Sequence, residues 1–235
     1  AKRDGWSKEQ FLLEVSKIEG VYVPSFYEHI YNEDGTLREI IAREGQPSVH
    51  TKRIVEDLDK AYYPTNTIVP STEIVHDRTN IELFRGCIRG CRFCQAGYSC
   101  RPVRRKSADA ACQQAIESLE DSGANEITLS SLSTSDYRGL KELTDELIPY
   151  CEKNHVSLSV PSLRADNFSR ELMQKLQTGK KSGLTFAPEA GTQRLRDVIN
   201  KNLTEEEILN TCENAFSGGW SNVKLYFMLG LPTET

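Results

Sequence analysis

From residue 80 onward the chain alternates short apolar runs with stretches of helical period, and this alternation is the strongest constraint on its fold. The runs are Asn80-Ile81-Glu82-Leu83-Phe84, Glu126-Ile127-Thr128-Leu129-Ser130, residues 156–160, Gly183-Leu184-Thr185-Phe186-Ala187 and residues 223–228. Capping residues mark the helices between them. Ser107 opens one that Gly123 closes, Ser169 caps another over 170–177 before Gly179, and a helix over 192–199 starts at Thr192. Thr204 with Glu207 is a capping box for a helix ending at Gly218-Gly219. Residues 137–154 turn Leu140, Leu143, Leu147 and Ile148 inward, with Pro149 bending or splitting that helix. Strand, helix, strand in this order implies βαβ units and a parallel sheet, and the nearly all-apolar runs imply cover on both faces. In such a fold the strand C-terminal ends gather at one mouth, so the residues just past each strand are the candidate site.

The loop past the first strand is Arg85-Gly86-Cys87-Ile88-Arg89-Gly90-Cys91-Arg92-Phe93-Cys94-Gln95-Ala96-Gly97. Cys87, Cys91 and Cys94 are spaced C-x3-C-x2-C, with glycines that let the backbone wrap until the thiolates converge. Such a loop calls for a metal. A structural zinc usually takes four ligands in paired knuckles, for which Cys100 is the remaining nearby thiol and no second pair exists. An iron–sulfur cluster on three cysteines leaves one iron without a protein ligand, which is the open site that catalysis needs. Zinc, an inert thiol set and a disulfide are the competing readings.

With Phe93 between the second and third cysteines, the loop resembles C-x3-C-x-Φ-C, the hallmark of the radical S-adenosylmethionine (radical SAM) enzymes. The resemblance implies an α/β fold, a partial parallel (β/α)6 barrel truncated after its fifth strand, with a [4Fe–4S] cluster and S-adenosylmethionine as cofactors. It also implies an electron donor of flavodoxin or ferredoxin type. Cys87, Cys91 and Cys94 would hold the cluster, beside Phe93. Ser131, in the polar run after the second strand, stands where family members hold the cofactor's amino group with Gly-Gly-Glu, a motif missing here; otherwise it is simply a loop residue. Arg164 suits a carboxylate, or else a salt bridge to Asp166. Pro188-Glu189-Ala190-Gly191-Thr192 is similar to the family's Glu-x-Gly-(Ser/Thr) turn, with Ile199-Asn200-Lys201-Asn202 as its sequel, and makes Glu189 a cofactor contact. Gly230, Leu231 and Pro232 resemble the family's Gly-x-Pro-x-Glu ending, whose backbone flanks adenine. The implied reaction is reductive cleavage of the cofactor to a 5′-deoxyadenosyl radical that abstracts hydrogen from an unknown substrate, in RNA or cofactor modification. The pattern is nearest a branch related to methylthiotransferases. An electron-transfer or sensor protein and a zinc-binding interaction module are the competing classes.

The N-terminal third, residues 1–75, reads as an irregular connecting segment before the core at 76–235. It starts with a helix over 7–17, followed by two extended runs around Asn32-Glu33-Asp34-Gly35, a hairpin signal, then by a charged helix over 51–60 and a proline-rich connector. This segment resembles the one that joins a cobalamin-binding domain to the barrel, so a cobalamin-binding-like domain is expected upstream; the chain itself has no Asp-x-His-x-x-Gly loop. His29, His50, His76 and His155 are isolated and read as surface or packing residues. An ending at Thr235, directly after a core strand, is expected of a fragment. The 7 cysteines fit a reducing compartment, and the lack of any long apolar run argues for a cytoplasmic protein away from membranes. A net charge of −5 argues against indiscriminate nucleic-acid binding, although Arg101, Arg104, Arg105 and Lys106 form one basic run beside the cysteine loop. That run is a phosphate grip if the substrate is RNA, or a solvated or cluster-neutralising loop if it is not.

Overall fold

The computed structural model describes residues 4–167 and 183–235, so the helix expected over 170–177, with Ser169 and Gly179, lies outside the described residues. The chain divides into two compact units, Ala1–Val55 and Glu56–Thr235.

In the first unit, α1 (Lys8–Ser16) opens with a capping box in which Ser7 and Gln10 satisfy each other's backbone N–H. The expected hairpin forms as β1 (Tyr27–Tyr31) paired antiparallel with β2 (Leu37–Ala42). Its turn is closed by the Thr36 N–H donating to the Asp34 carboxylate at 2.9 Å, and Gly35 takes φ +81°. Val23, Phe26 and Tyr27 make the small core, against which Ala42 of β2 packs while the rest of β2 is exposed. No helix forms over 51–60. Of its apolar residues Leu58 is buried, while Ile54 and Val55 stay exposed, so there is no apolar stripe to drive one.

The second unit follows the expected alternation. Its strands are β3 (Thr79–Glu82), β4 (Phe84–Arg85), β5 (Arg104–Arg105), β6 (Glu126–Ser130), β7 (Ser157–Ser159), β8 (Leu184–Glu189) and β9 (Val223–Phe227). The helices are α2 (Ala96–Ser99), α3 (Ala108–Ser122), α4 (Leu140–Lys153), α5 (Gln193–Val198) and α6 (Glu205–Ser217). β3, β6 and β7 form one parallel sheet in that order, and β8 and β9 form a second parallel pair. The first expected strand breaks at Leu83, whose N–H donates to Ser130 while its carbonyl accepts from Lys106, handing the chain from β6 to the short antiparallel partner β5. α3 begins at Ser107 and ends at Gly123 with φ +69°, and α6 begins with the Thr204–Glu207 capping box. Residues 134–136 make a single 3-10 turn before α4, which continues through Pro149 instead of splitting.

The core joins these layers. Ile81, Ile127 and Leu129 of the sheet meet Ala111 and Ala115 of α3 and Leu143 and Leu147 of α4, all fully buried. Removing either leucine side chain to alanine would cost about 2–5 kcal/mol. A second, smaller cluster of Ala190, Leu195, Ile199 and Leu231 seats the turn after β8. Pro188 falls inside a register shift between Phe186 and Glu189, where a residue without an N–H does no harm to the ladder.

Candidate metal centre

The cysteine loop starts at Gly86, which takes φ +90°; a Cβ there would lie 2.4 Å from the Cys100 carbonyl oxygen and 3.0 Å from that of Pro102. Only glycine satisfies both demands. From there the chain turns tightly, with the Cys94 N–H donating to Cys91 at 3.1 Å, and enters α2. Hydrogen bonds to the 198–200 segment fasten the far side, one of them from the Arg92 guanidinium to the Val198 carbonyl at 2.5 Å. Asn200 Nδ2 donates to the Gly90 carbonyl at 2.7 Å, and the Arg92 N–H donates to Ile199 at 2.9 Å. Asn200 itself takes φ +53°, a conformation asparagine tolerates better than most residues.

Cys87, Cys91 and Cys94 line one cavity of about 260 Å³ together with Phe93. Its other walls are Leu132 and Ser133 past β6, residues 162–165 past β7, Ala187 and Glu189 of β8, and Lys201 past α5. Four loops separated by over a hundred residues therefore share one mouth, as parallel strand ends should. Among the described residues no three His, Cys, Asp or Glu side chains are set to hold a single ion. A cluster presents a different iron to each thiolate, so three soft donors spread around one cavity fit it without meeting at a point.

Charge is tied down around this cavity. Arg89 donates through Nε to Asp136 at 2.9 Å and through Nη1 to Asp166 at 3.1 Å, while its backbone N–H donates to Cys87 Sγ at 3.4 Å. The hydrogen bond to Asp136 raises the Arg89 guanidinium above its ordinary value, against the effect of burial. Burial opposes ionisation of Asp136, but the hydrogen bonds from Arg89 and Ser133 prevail and hold its carboxyl below the usual carboxylate range. Arg164 grips Asp166 through Nε and Nη2, and Nη2 also reaches the Lys201 carbonyl at 3.1 Å. Glu189, at φ +68°, accepts from Lys201 Nζ at 3.2 Å. A non-glycine residue in that region is costly, and such strain tends to persist at functional sites.

The expected site residues thus fall in three groups. The three cysteines, Phe93, Arg164 and Glu189 line the cavity, with Arg164 engaged by Asp166 and backbone carbonyls. Ser131 shares a hydrogen bond with the Thr134 hydroxyl at 2.9 Å, and its neighbours Leu132 and Ser133 are the lining residues. Gly230, Leu231 and Pro232 are not among the lining residues either; Leu231 is buried against Ala190, Leu195 and Ile199, and Pro232 is exposed. Cys100 also stays off the lining. Sequence reasoning passed over Arg89, Asp136 and the roles of Asn200 and Lys201. The signal for the last two was their place directly after the turn that carries Glu189.

The basic run also turns inward on its own backbone. Arg101 donates to the Arg89 carbonyl at 3.1 Å and Arg104 to the carbonyls of Pro102 and Cys100. Lys106 is buried, with its ammonium 4.8 Å from the centre of the Tyr63 ring, and burial lowers its pKa. On α3 and α4, burial pushes the Cys112 and Cys151 thiols up to about 11, which marks them as inert packing groups.

Known proteins resemble this chain in sequence or in fold. The model of the radical SAM superfamily matches residues 81–235. "Uncharacterized protein MJ0966" of Methanocaldococcus jannaschii is 34% identical over 206 residues, covering 87% of this chain and 44% of that protein. "Putative methylthiotransferase MJ0865" of the same organism is 25% identical over 164 residues, covering 66% of this chain and 36% of its own length. The chain therefore spans less than half the length of these two curated relatives. A solved structure of similar fold is the radical S-adenosylmethionine methyltransferase TsrM from Kitasatospora setae, with a TM-score of 0.55, 15% identity, and coverage of 68% of this chain and 32% of that one.

Proposed function

Because the chain belongs to the radical SAM superfamily, we propose that it is an enzyme that reductively cleaves S-adenosylmethionine at a [4Fe–4S] cluster held by Cys87, Cys91 and Cys94. The observation that carries this reading is the convergence of those three thiols with the ends of β6, β7 and β8 on one cavity. A cluster held by these three thiols would supply the single electron for cleaving S-adenosylmethionine, and the radical chemistry would belong to the cofactors and not to a side chain.

The side chains of this chain bind and orient. Glu189 accepts from the cofactor's ribose hydroxyls or ammonium, and Lys201, now its partner, then faces the methionyl carboxylate beside Arg164. Ser131, bonded to the Thr134 hydroxyl, shapes the turn that brings Ser133 to the cavity wall, and Phe93 would pack beside a bound cluster. Gly230, Leu231 and Pro232 do not line this cavity, and Leu231 supports the turn that carries Glu189 by packing against Ala190. The buried Leu163 keeps water from its part of the cavity wall, which a reactive radical requires. An electron donor of flavodoxin or ferredoxin type, an RNA or cofactor substrate and an upstream cobalamin-binding-like domain complete the proposal. The last rests on the resemblance of residues 1–75 to a connecting segment. No helix among the described residues is long and apolar enough to cross a membrane.

The test is 5′-deoxyadenosine, measured by mass spectrometry after anaerobic reconstitution and reduction, with Cys91→Ala as control. Product above the control supports the radical enzyme. A colourless zinc protein, or a brown one that yields no product, would leave the interaction module or the electron carrier instead.

A further inference from the structure

Arg89 has an unusual position for so strong a cation. It sits between the first two cysteines of the loop, lines the cavity with Cys87, and bonds that thiol through its own backbone N–H. Its side chain does not point to open water but runs into two carboxylates that belong to different strand ends, Asp136 past β6 and Asp166 past β7. Both carboxylates are well buried, with side-chain exposures of 6% and 12% against 25% for Arg89. Asp166 shares Arg164 as a second cation, whereas Asp136, among the described residues, is bonded by Arg89 and the Ser133 hydroxyl, so Arg89 is the principal charge that neutralises it.

Resting on the radical SAM reading of this site, we infer that Arg89 is a positioning residue that also shields the cluster from Asp136 and Asp166. The guanidinium fixes the loop between Cys87 and Cys91 to two strand ends at once, because its planar fork satisfies two acceptors in a set geometry. Arg89 lines the cavity with the three cysteines, whereas Asp136 and Asp166 are not among its lining residues. A cluster that accepts an electron becomes more negative, so a nearby cation stabilises the reduced form and nearby anions oppose it. Removing Arg89 removes the first and uncovers the second, and both effects lower the cluster's potential. Removing the Asp136 charge while Arg89 stays acts in the opposite direction.

The two signs give the experiment. Wild type, Arg89→Gln, Arg89→Lys and Asp136→Asn are reconstituted anaerobically with iron and sulfide, and each cluster is titrated against potential by EPR, with iron content measured alongside. Arg89→Gln is expected to show at least a tenfold lower ratio of reduced to oxidised cluster at the wild-type midpoint, equivalent to about 59 mV for a one-electron couple. Asp136→Asn is expected to move the midpoint upward. Arg89→Lys keeps the charge and loses the fork, so it should stay nearer wild type in potential while losing iron faster. Arg89→Gln that holds a full cluster at the wild-type midpoint overturns the inference. If Arg89→Gln does not fold, Asp136→Asn decides alone: an unchanged or lowered midpoint overturns it. A wild-type protein that takes up no cluster would overturn the reading of the site and this inference together, so the two failures are distinguishable.

Discussion

Replacing Glu189 separates binding from folding at the one cavity residue that carries both a charge and a strained backbone. Its carboxylate is 16% exposed and accepts from Lys201, itself 11% exposed, at 3.2 Å. Glu189→Gln keeps an oxygen for Lys201 but removes the negative charge, so the hydrogen bond falls from charge-assisted on both sides to one, a loss of about 1 kcal/mol. For a unit of this size, about 1 kcal/mol lowers Tm by roughly 2–4 °C. Losing a charge-assisted contact to the cofactor should cost about 1.5–3 kcal/mol, or roughly ten- to a hundredfold in the Kd for S-adenosylmethionine. Glu189→Gly sharpens the contrast. Glycine relieves the φ of +68° by about 1–2 kcal/mol, offsetting part of the lost ion pair, so its Tm should fall by less than loss of the pair alone implies while affinity still falls. Calorimetric titration of the reconstituted protein with the cofactor, alongside thermal melts and iron content, reads both quantities. A Tm fall of more than about 10 °C with unchanged affinity would refute the reasoning and make Glu189 structural.

Three further outcomes are expected. Alanine at Cys87, Cys91 or Cys94 should each abolish most bound iron, while Cys100→Ala, off the cavity lining, should retain it; equal loss in all four removes the three-ligand model. Gly86→Ala forces a Cβ to 2.4 Å from the Cys100 carbonyl at a φ of +90°, so it should destabilise the unit by more than about 1–2 kcal/mol and lower iron uptake, checked by denaturant melts and iron assay. The raised thiol pKa of about 11 at Cys112 and Cys151 means the folded state holds those protons more tightly than the unfolded state does. Their contribution to stability is therefore complete below about pH 9 and is lost as pH rises toward 11, and alkylation at pH 8 should spare both in the native protein.

What could be read in advance follows from how local each signal is. Ser107, Gly123 and the Thr204–Glu207 box act within one turn of helix, and they set the ends of α3 and α6 where the residues themselves announce them. The β6 strand matches its apolar run residue for residue. The cysteine loop was legible because spacing, aromatic and preceding strand are all contiguous. The Arg89–Asp136–Asp166 network was not, since its members lie 47 and 77 residues apart and meet only through the strand order. The charged helix over 51–60 failed for the opposite reason: local propensity had no buried face to support it. Past β6, the prolonged polar run hid which residue faces the cavity, and the turn after Ser130 gives that place to Ser133 rather than Ser131.

The central claim is that the three-cysteine cluster keeps one iron open to the cofactor in this cavity. The most direct measurement is the EPR spectrum of the reduced, reconstituted protein before and after S-adenosylmethionine is added. Attachment of the cofactor to the iron that lacks a thiolate predicts a changed line shape and shifted g values, abolished by Glu189→Gly at low cofactor concentration. A full cluster whose spectrum does not respond to saturating cofactor would contradict the account.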